Sequence, residues 1–501
     1  MFNLKSTLLQ PNLSGLIKII AMEFLSDTVV LSRLQFALTA IFHMLWPVLT
    51  TGMAIYLIVV EGLWLKTRNE NYYYHARFWA KLYVLNFGIG VASGLPMEFE
   101  FGTNWAPFSQ AVGDFFGSVL GFEASMAFAL EAGFLGIMLF GWERVPPIMH
   151  YFATIMVALG ANLSIFWILS ANSWLQTPVG GNFIDGNFVV TDYFQAIFNP
   201  FMLNSVLHMF FATMETSLFV IGGISAWYLL NNRNSEFFTL SFKIVLAIAI
   251  AVTPLQLYIG HLSGEQVYHY QPTKLAAMEA QWDTIPAGES PSWSLLAIPN
   301  DRAEKNAWEI SIPGLLSYIL EIKPQLSEPV LGLKEYAPED RPHQIGLVYY
   351  AFRIMIAIGF ILAGLMAITV LQWLRGKLSP ADITQQKWLL RLWLFSAPLG
   401  YIAVECGWIV RCVGRQPWTV YGEIRTVDAA SQLPPGDVLT SLTAFAIVYS
   451  ILFIFALYFG SSIIRKGPNF DLPVPGKDIS PDLDITPADP IPDSRPAEAQ
   501  Q

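Results

Sequence analysis

Imidazole and thioether side chains lie inside apolar stretches of this 501-residue sequence. His208, in NSVLHMFF, and Met355, in YYAFRIM, have similar predicted depths below the same membrane face. Such a pair can ligate a low-spin haem iron and raises its reduction potential. Arg353 lies two residues from Met355 and could neutralise a haem propionate. A lone methionine in an apolar helix is usually a core residue, so the hypothesis depends on the combination with His208 and Arg353.

Three other ionisable residues occupy apolar stretches, where polar groups are costly and therefore suggest function. A lone histidine such as His43, in TAIFHMLWP, is more often hydrogen-bonded than a ligand. Glu123 and Glu131 are eight residues apart, which we interpret as one helical face with the carboxyls about 12 Å apart. Two aligned carboxylates are typical of a proton relay towards a buried site, and a structural role is the alternative.

The segment VECGWIVRCVGRQPW concentrates polar residues at the end of an apolar stretch. It contains Glu405, Arg411, Cys412 and Arg415, with Trp408 among them. One interpretation is an interfacial anchor of tryptophan and arginine. The other is that the cations bind haem propionates while Trp408 packs between flat cofactors.

Lys274 and Glu279 occur in PTKLAAMEAQWDT, which is predicted to be helical. They are five residues apart, so they do not form an ideal i,i+4 pair. A solvated amphipathic helix explains the segment without any function. As a quinol site, the carboxylate would accept a hydroxyl proton and the lysine would contact the other oxygen.

The elements that must position these residues are membrane-spanning helices. Apolar residues make up 54% of the sequence and charged residues 13%, whereas soluble domains carry about 25% charge. This excludes a disordered chain, a disulfide scaffold and an ordinary cytosolic enzyme. We predict an all-α integral membrane protein with nine spanning helices. They cover about 34–61, 78–98, 119–141, 150–172, 205–230, 240–261, 346–374, 388–411 and 442–464.

Charge in the connections predicts the orientation. The short segments that follow helices 1, 3, 5, 7 and 9 contain twelve Lys and Arg residues. The segments that follow helices 2, 4 and 8 contain three. This bias places the N-terminus outside and the C-terminus in the cytoplasm. Segment 262–344 is then a long external loop of net charge −6, predicted to be functional. Residues 1–33 are an N-terminal extension with the entry to the first helix, and 467–501 an acidic, Pro-rich tail predicted to be disordered.

A secondary transporter that couples ions through Glu123 and Glu131 is the rival from another class. It predicts inverted repeats and helices broken by Gly or Pro at matching positions. The sequence contains neither, and a transporter leaves His208 and Met355 unexplained. A haem-binding membrane subunit without turnover is a third interpretation, which oxygen consumption with a quinol donor would separate from an oxidase.

The combination of motifs resembles subunit I of the cytochrome bd family of quinol oxidases, from about Leu31 to Gly467. The motifs are LSRLQFALTAIFH, MEFEFGTNW, GFEASMAFALE, IFWILSANSWLQ, TKLAAMEAQW, YYAFRIM and GRQPW. The resemblance implies nine helices, three haems near the outer face, and reduction of dioxygen to water with quinol as donor. The loop looks like the short form, without an insertion after its quinol segment.

The resemblance also implies residue roles. His43 is then the axial ligand of a high-spin haem at the oxygen site. His208 and Met355 are the ligands of a low-spin haem b, with Arg353 as its partner.

The remaining roles concern quinol and protons. Lys274 and Glu279 match loop residues implicated in quinol oxidation. Glu123 and Glu131 match the carboxylates beside the oxygen-reducing haem and on its proton path.

One position departs from the family pattern. Members commonly have a glutamate, the axial ligand of the second high-spin haem, three residues before the Arg of GRQPW. Here that position is Cys412, while Arg415 and Trp408 match positions that contact haems. Cys412 could ligate as a thiolate, Glu405 could ligate from two turns away, or the iron could be five-coordinate.

The implied cofactors are a low-spin haem b, a high-spin haem b, and haem d or a further haem b. The implied protein partners are a smaller membrane subunit II and, as a further expectation, small single-helix subunits. The other implied partners are ubiquinol or menaquinol, dioxygen and the lipid bilayer. No nucleic acid is expected. The expected location is the bacterial inner membrane, or a thylakoid membrane in a cyanobacterium.

Overall fold

The computed structural model describes residues 25–475, so most of the predicted N-terminal extension and of the predicted tail lies outside the described residues. Within this range nine helices are long and apolar enough to span a membrane, which confirms the predicted fold class. They are α1 Thr28–Thr67, α2 Glu70–Gly102, α3 Gly113–Phe140, α4 Pro147–Trp174, α5 Met202–Leu230, α6 Ser235–Tyr270, α7 Ile345–Leu374, α8 Lys387–Val413 and α9 Pro435–Lys466.

The remaining elements are short and lie in the connections. Three antiparallel hairpins form, β1–β2, β3–β4 and β5–β6. Their strands are Gly181–Ile184, Asn187–Val190, Trp293–Asn300, Lys305–Ile312, Trp418–Val420 and Ile424–Arg425. The short helices are Ala106–Ala111, Tyr193–Ile197, Pro272–Glu279, Leu315–Glu321, Pro380–Ile383 and Thr426–Ala429, with 3-10 turns at Leu333–Glu335 and Pro338–Asp340.

The helices extend beyond the predicted apolar stretches. Helix α1 has 40 residues, which corresponds to about 60 Å, twice the hydrocarbon thickness. It begins where the Asp27 side chain accepts a hydrogen bond from the Val30 amide, a cap that operates outside the apolar stretch. Hydropathy locates the hydrocarbon segment, whereas caps and neighbouring loops determine where each helix ends.

Helix α3 contains a π-helical turn at Glu123–Phe128. Eight residues of regular α-helix would leave Glu123 and Glu131 about 80° apart around the axis. The π-turn takes up about one extra residue, which brings the two carboxylates close to one face. The shared face is therefore present, but it depends on the π-turn and not on the spacing alone, which corrects the sequence interpretation.

The main core joins α1, α2, α5 and α6 with parts of α3, α4, α7 and α8, and it is rich in aromatic residues. Trp393 of α8 stacks on Phe219 of α5 with ring centroids 4.7 Å apart. Helix α9 lies at the periphery and exposes residues such as Ile451 and Phe455. Exposed apolar side chains on a spanning helix suit lipid or another membrane subunit.

The predicted external loop is structured. Residues 262–270 continue α6, so the connection begins nine residues later than predicted. The loop has its own apolar cluster, which includes Trp293, Leu316 and Val330. It also contacts α7, because the Tyr350 hydroxyl donates to the Ala297 carbonyl at 3.0 Å. The loop is thereby fixed against the helices that carry the candidate site.

The segment after α9 packs against the helices. The Tyr73 hydroxyl of α2 donates to the Pro473 carbonyl at 2.9 Å. Phe470 contacts the ring of Tyr74 at 5.3 Å, and Leu472 packs on the main core. Residues 467–475 thus have defined contacts where the sequence interpretation placed a disordered tail, because they alternate apolar residues with proline.

Candidate functional site

His208 and Met355 each lie beside a glycine of a neighbouring helix. Helix α6 passes beside His208, since a Cβ on Gly260 would lie 3.5 Å from His208 Cε1. Helix α8 passes beside Met355, where a Cβ on Gly407 would lie 3.2 Å from the Met355 sulfur. The absence of a side chain at Gly407 gives the thioether room beside α8.

The imidazole of His208 has an unused polar atom. His208 Nδ1 is buried and has no hydrogen-bond partner among the described residues. Buried polar atoms of native proteins are nearly always paired, so each exception suggests an additional ligand. The arrangement of His208 and Met355 therefore fits the predicted haem b.

Arg353 connects two sites that the sequence analysis treated separately. Its Nη2 donates to Glu279 Oε2 at 2.6 Å, and both side chains are at least 90% buried. Its Nε donates to the Ser294 carbonyl at 2.9 Å, and its guanidinium lies over the rings of Trp293 and Tyr349. Its Nη1 is buried without a partner among the described residues. Arg353 thus binds the predicted quinol residue directly and retains one donor for a second anion.

Lys274 lies in a different environment from Glu279, although both belong to the loop helix Pro272–Glu279. Lys274 Nζ donates to Gln176 Oε1 at 2.5 Å, and only 2% of the residue is exposed. Burial, reinforced by the charges of Arg415 and Arg411, holds the pKa of Lys274 well below its ordinary value. Because every residue from 273 to 279 is buried, the alternative of a solvated amphipathic helix is wrong.

Lys274, Arg411 and Arg415 form a cationic cluster beside Cys412. Arg411 donates to the Asn172 side chain, to Ser205 Oγ at 2.9 Å and to Ser173 Oγ at 3.0 Å. The acceptors of Arg411 are thus neutral, and the sequence analysis missed all three. Asn172 and Ser173 stand in the motif IFWILSANSWLQ, so the motif was the available signal.

Arg415 completes the cationic cluster. Its Nε donates to the Trp418 carbonyl at 3.3 Å, and its Nη1 is buried without a partner among the described residues. Burial lowers the pKa of Arg415. Buried Lys274 and Arg415 and partly buried Arg411 have only neutral acceptors, so they make a site for an anionic group such as a haem propionate, which favours this interpretation over an interfacial anchor.

Cys412 and Glu405 remain alternatives for the second high-spin iron. Cys412 is a partly buried free thiol next to the cationic cluster. Glu405 Oε2 is buried without a partner among the described residues. Seven residues of helix separate the two by about 10 Å. The two groups therefore define different iron positions along α8. Trp408 lies between them and is partly buried.

His43 and the two carboxylates of α3 occupy the other side of the bundle. His43 Nδ1 lies 3.1 Å from Ser93 Oγ, which fixes the ring against α2. Glu131 is 8% exposed and packs against α4, where a Cβ on Gly160 would lie 2.7 Å from the Glu131 Cγ. Glu123 is partly buried. This geometry can hold an imidazole ligand on α1 and a pair of protonatable groups on α3.

Residues 31–468 match the family model described as cytochrome bd terminal oxidase subunit I. The chain is 35% identical to cytochrome bd-II ubiquinol oxidase subunit 1 of Escherichia coli (strain K12), over 88% of this chain and 97% of that protein.

Two other matches agree. The chain is 34% identical to cytochrome bd ubiquinol oxidase subunit 1 of Bacillus subtilis (strain 168), over 88% of this chain and 94% of that protein. The structure of bd oxidase from Geobacillus thermodenitrificans superposes with a TM-score of 0.80 and 28% identity, over 88% of this chain and 99% of the other.

Proposed function

The chain belongs to the cytochrome bd terminal oxidase subunit I family, and on that premise we propose that it oxidises quinol and reduces dioxygen to water. The observation that carries this proposal is the His208 imidazole and the Met355 thioether, each beside a glycine of a neighbouring helix, with the unpartnered Nη1 of Arg353 two residues from the thioether. A transporter without a cofactor would not require this combination of an imidazole, a thioether and an unpartnered arginine nitrogen.

Three haems would be held by this chain's own residues. His208 and Met355 would hold a low-spin haem b, and His43 a high-spin haem at the oxygen site. Cys412, or alternatively Glu405, would ligate the third, a second high-spin haem. This second high-spin haem would be haem b, and the haem at the oxygen site would be haem d or a further haem b. When bound, the haems supply electron transfer and oxygen reduction.

The loop helix would bind quinol. Glu279 Oε2 is engaged by Arg353 at 2.6 Å, so its other oxygen is the one that would accept the hydroxyl proton. Lys274 would contact the second quinol oxygen from the cationic cluster. The Arg353–Glu279 pair would hold this carboxylate in place for the quinol hydroxyl.

Protons for water would come from the opposite side. Glu131 and Glu123 would pass them along the face created by the π-turn, towards His43. With the N-terminus outside and the C-terminus cytoplasmic, quinol protons would be released outside and consumed from inside. This separation generates a proton motive force without pumping.

The peripheral helices would contact a smaller subunit II and lipid in the bacterial inner membrane, or in a thylakoid membrane of a cyanobacterium. The exposed apolar face of α9 supports such contacts. Small single-helix subunits, with ubiquinol or menaquinol as donor, complete the proposed assembly.

A reduced-minus-oxidised spectrum of the purified complex tests the function. His208→Ala should abolish the low-spin band and quinol-dependent oxygen consumption while the high-spin bands persist. An unchanged low-spin band would contradict the assignment. In the same spectra, Cys412→Ser should shift a high-spin band if the thiolate is a ligand, and Glu405→Gln should do so if the carboxylate is.

A further inference from the structure

Glu215 is a buried carboxylate that the proposed electron and proton paths do not use. It lies on α5, is 6% exposed, and its Oε1 has no hydrogen-bond partner among the described residues. It follows His208 by seven residues, which places it on the same face of α5 and about 10 Å further along the helix. The available sequence signal was the same as for Glu123 and Glu131, a single carboxylate in the apolar stretch that contains METSLF.

Helix α6 presents polar atoms to the space between Glu215 and His208. Gly260 lies beside His208, and Thr253, seven residues earlier on α6, faces Glu215. Thr253 Oγ1 and Gln256 Oε1 are also buried without partners within the described range. Since Gln256 lies one turn from Thr253 towards Gly260, the polar atoms form a line from Glu215 towards the iron ligand.

Among the described residues, no cation pairs with Glu215 at this level. Gly400 of α8 packs against Thr216, so α8 contributes the titratable groups Tyr401 and Glu405. The other helices packed on α5 supply only apolar, hydroxyl and amide side chains at this level, in the segments 46–54, 159–166 and 249–256. An uncompensated carboxylate in the membrane interior is costly, and binding a proton is the way this site can neutralise it.

We propose that Glu215 is a proton-binding site linked to reduction of the iron between His208 and Met355. The inference rests on the proposed function, which supplies the electron. When the haem is bound, its reduction would take one electron from quinol, and one proton from the aqueous phase would convert the Glu215 carboxylate to the acid. The net charge of the site is unchanged, and reoxidation releases the same proton.

The linkage has a defined sign. The added electron favours the protonated acid, so the midpoint potential of the low-spin haem falls as pH rises through the titration of Glu215. In Glu215→Gln the side chain is neutral at every pH, so the potential should stay at its low-pH value without that slope. Glu215→Asp is the matched control, because it keeps a titratable carboxyl and should keep the slope.

Redox titration of the low-spin band in the purified complex, at a series of pH values, tests the proposal. The same pH slope in Glu215→Gln as in wild type would overturn it, as would loss of the slope in Glu405→Gln with retention in Glu215→Gln. A missing low-spin band in wild-type protein would instead refute the proposed function.

Infrared spectroscopy decides the case if Glu215→Gln does not assemble. The reduced-minus-oxidised spectrum of wild-type protein should contain a carboxylic-acid C=O band that changes frequency in Glu215→Asp. A spectrum identical in wild type and Glu215→Asp would overturn the proposal.

Discussion

Arg353 links the two ends of the candidate electron path, Glu279 of the loop and Met355 of α7. It holds Glu279 of the loop at 2.6 Å and stands two residues before Met355 on α7. A buried arginine with stacked aromatic rings and a carboxylate partner is fixed in orientation. The proposed quinol residue Glu279 and the proposed haem ligand Met355 are therefore linked through one side chain.

Loss of one member of this ion pair should destabilise the loop. Arg353→Met leaves Glu279 buried without its cation, which costs about 3–5 kcal/mol. The double variant Arg353→Met/Glu279→Gln should lose less than the sum of the single variants. Native-state hydrogen exchange of residues 272–279 measures this, and additive losses would contradict the coupling.

Lys274 should give quinol oxidation an alkaline limit. A lysine is charged below its pKa, and burial moves the pKa of Lys274 well below 10.5. The charge, and with it quinol oxidation, should be lost as pH rises through that lowered value. Lys274→Arg stays charged and should extend activity to higher pH. An unchanged alkaline limb would contradict this, and Lys323→Arg in the exposed part of the loop is the control.

The π-turn is the feature of α3 that matters at the scale of elements. It aligns Glu123 with Glu131, which regular helix would not do. π-turns occur mostly at functional sites because they cost regular hydrogen bonds. The turn also packs on α4, where a Cβ on Gly160 would lie 2.9 Å from the Ala127 carbonyl oxygen, so it serves both the packing of α3 and the proposed proton relay.

Inserting one alanine after Ala129, in the regular helix between the two carboxylates, should rotate Glu123 by about 100° relative to Glu131. Oxygen consumption should fall by roughly 10–100-fold through misplacement of the carboxylates. The low-spin band should remain, because its ligands lie on α5 and α7. Ala124→Ser, which keeps the chain length, is the control, and equal activity of both variants would contradict the relay.

At the scale of the molecule, the helix bundle is closed at one end by residues 467–475. Phe470, Leu472 and Val474 pack on α2, α6 and the main core. Truncation after Lys466 should remove roughly 1–3 kcal/mol of apolar burial and lower the melting temperature of the complex. Truncation after Pro475 removes the Pro- and Asp-rich remainder and should leave the melting temperature unchanged. Equal melting temperatures for both truncations would show that the packed segment is dispensable.

The sequence by itself determined the helices and the candidate ligands. Hydropathy depends on composition over about twenty residues, so the nine spanning helices were predictable without partners. His43, His208 and Met355 were identifiable because polar or soft side chains are conspicuous in apolar surroundings and the motifs were specific. The spacing of Glu123 and Glu131 suggested a shared helical face, but in a regular helix that spacing leaves the two carboxylates about 80° apart. The π-turn that brings them together was not predicted.

Only the tertiary structure decided which side chains meet. The pairing of Arg353 with Glu279, of Lys274 with Gln176, and of Arg411 with Asn172 joins residues far apart in the chain. The isolated position of Glu215 opposite Thr253 depends on the register between α5 and α6. Side-chain contacts of this kind follow from helix packing, which no local pattern encodes.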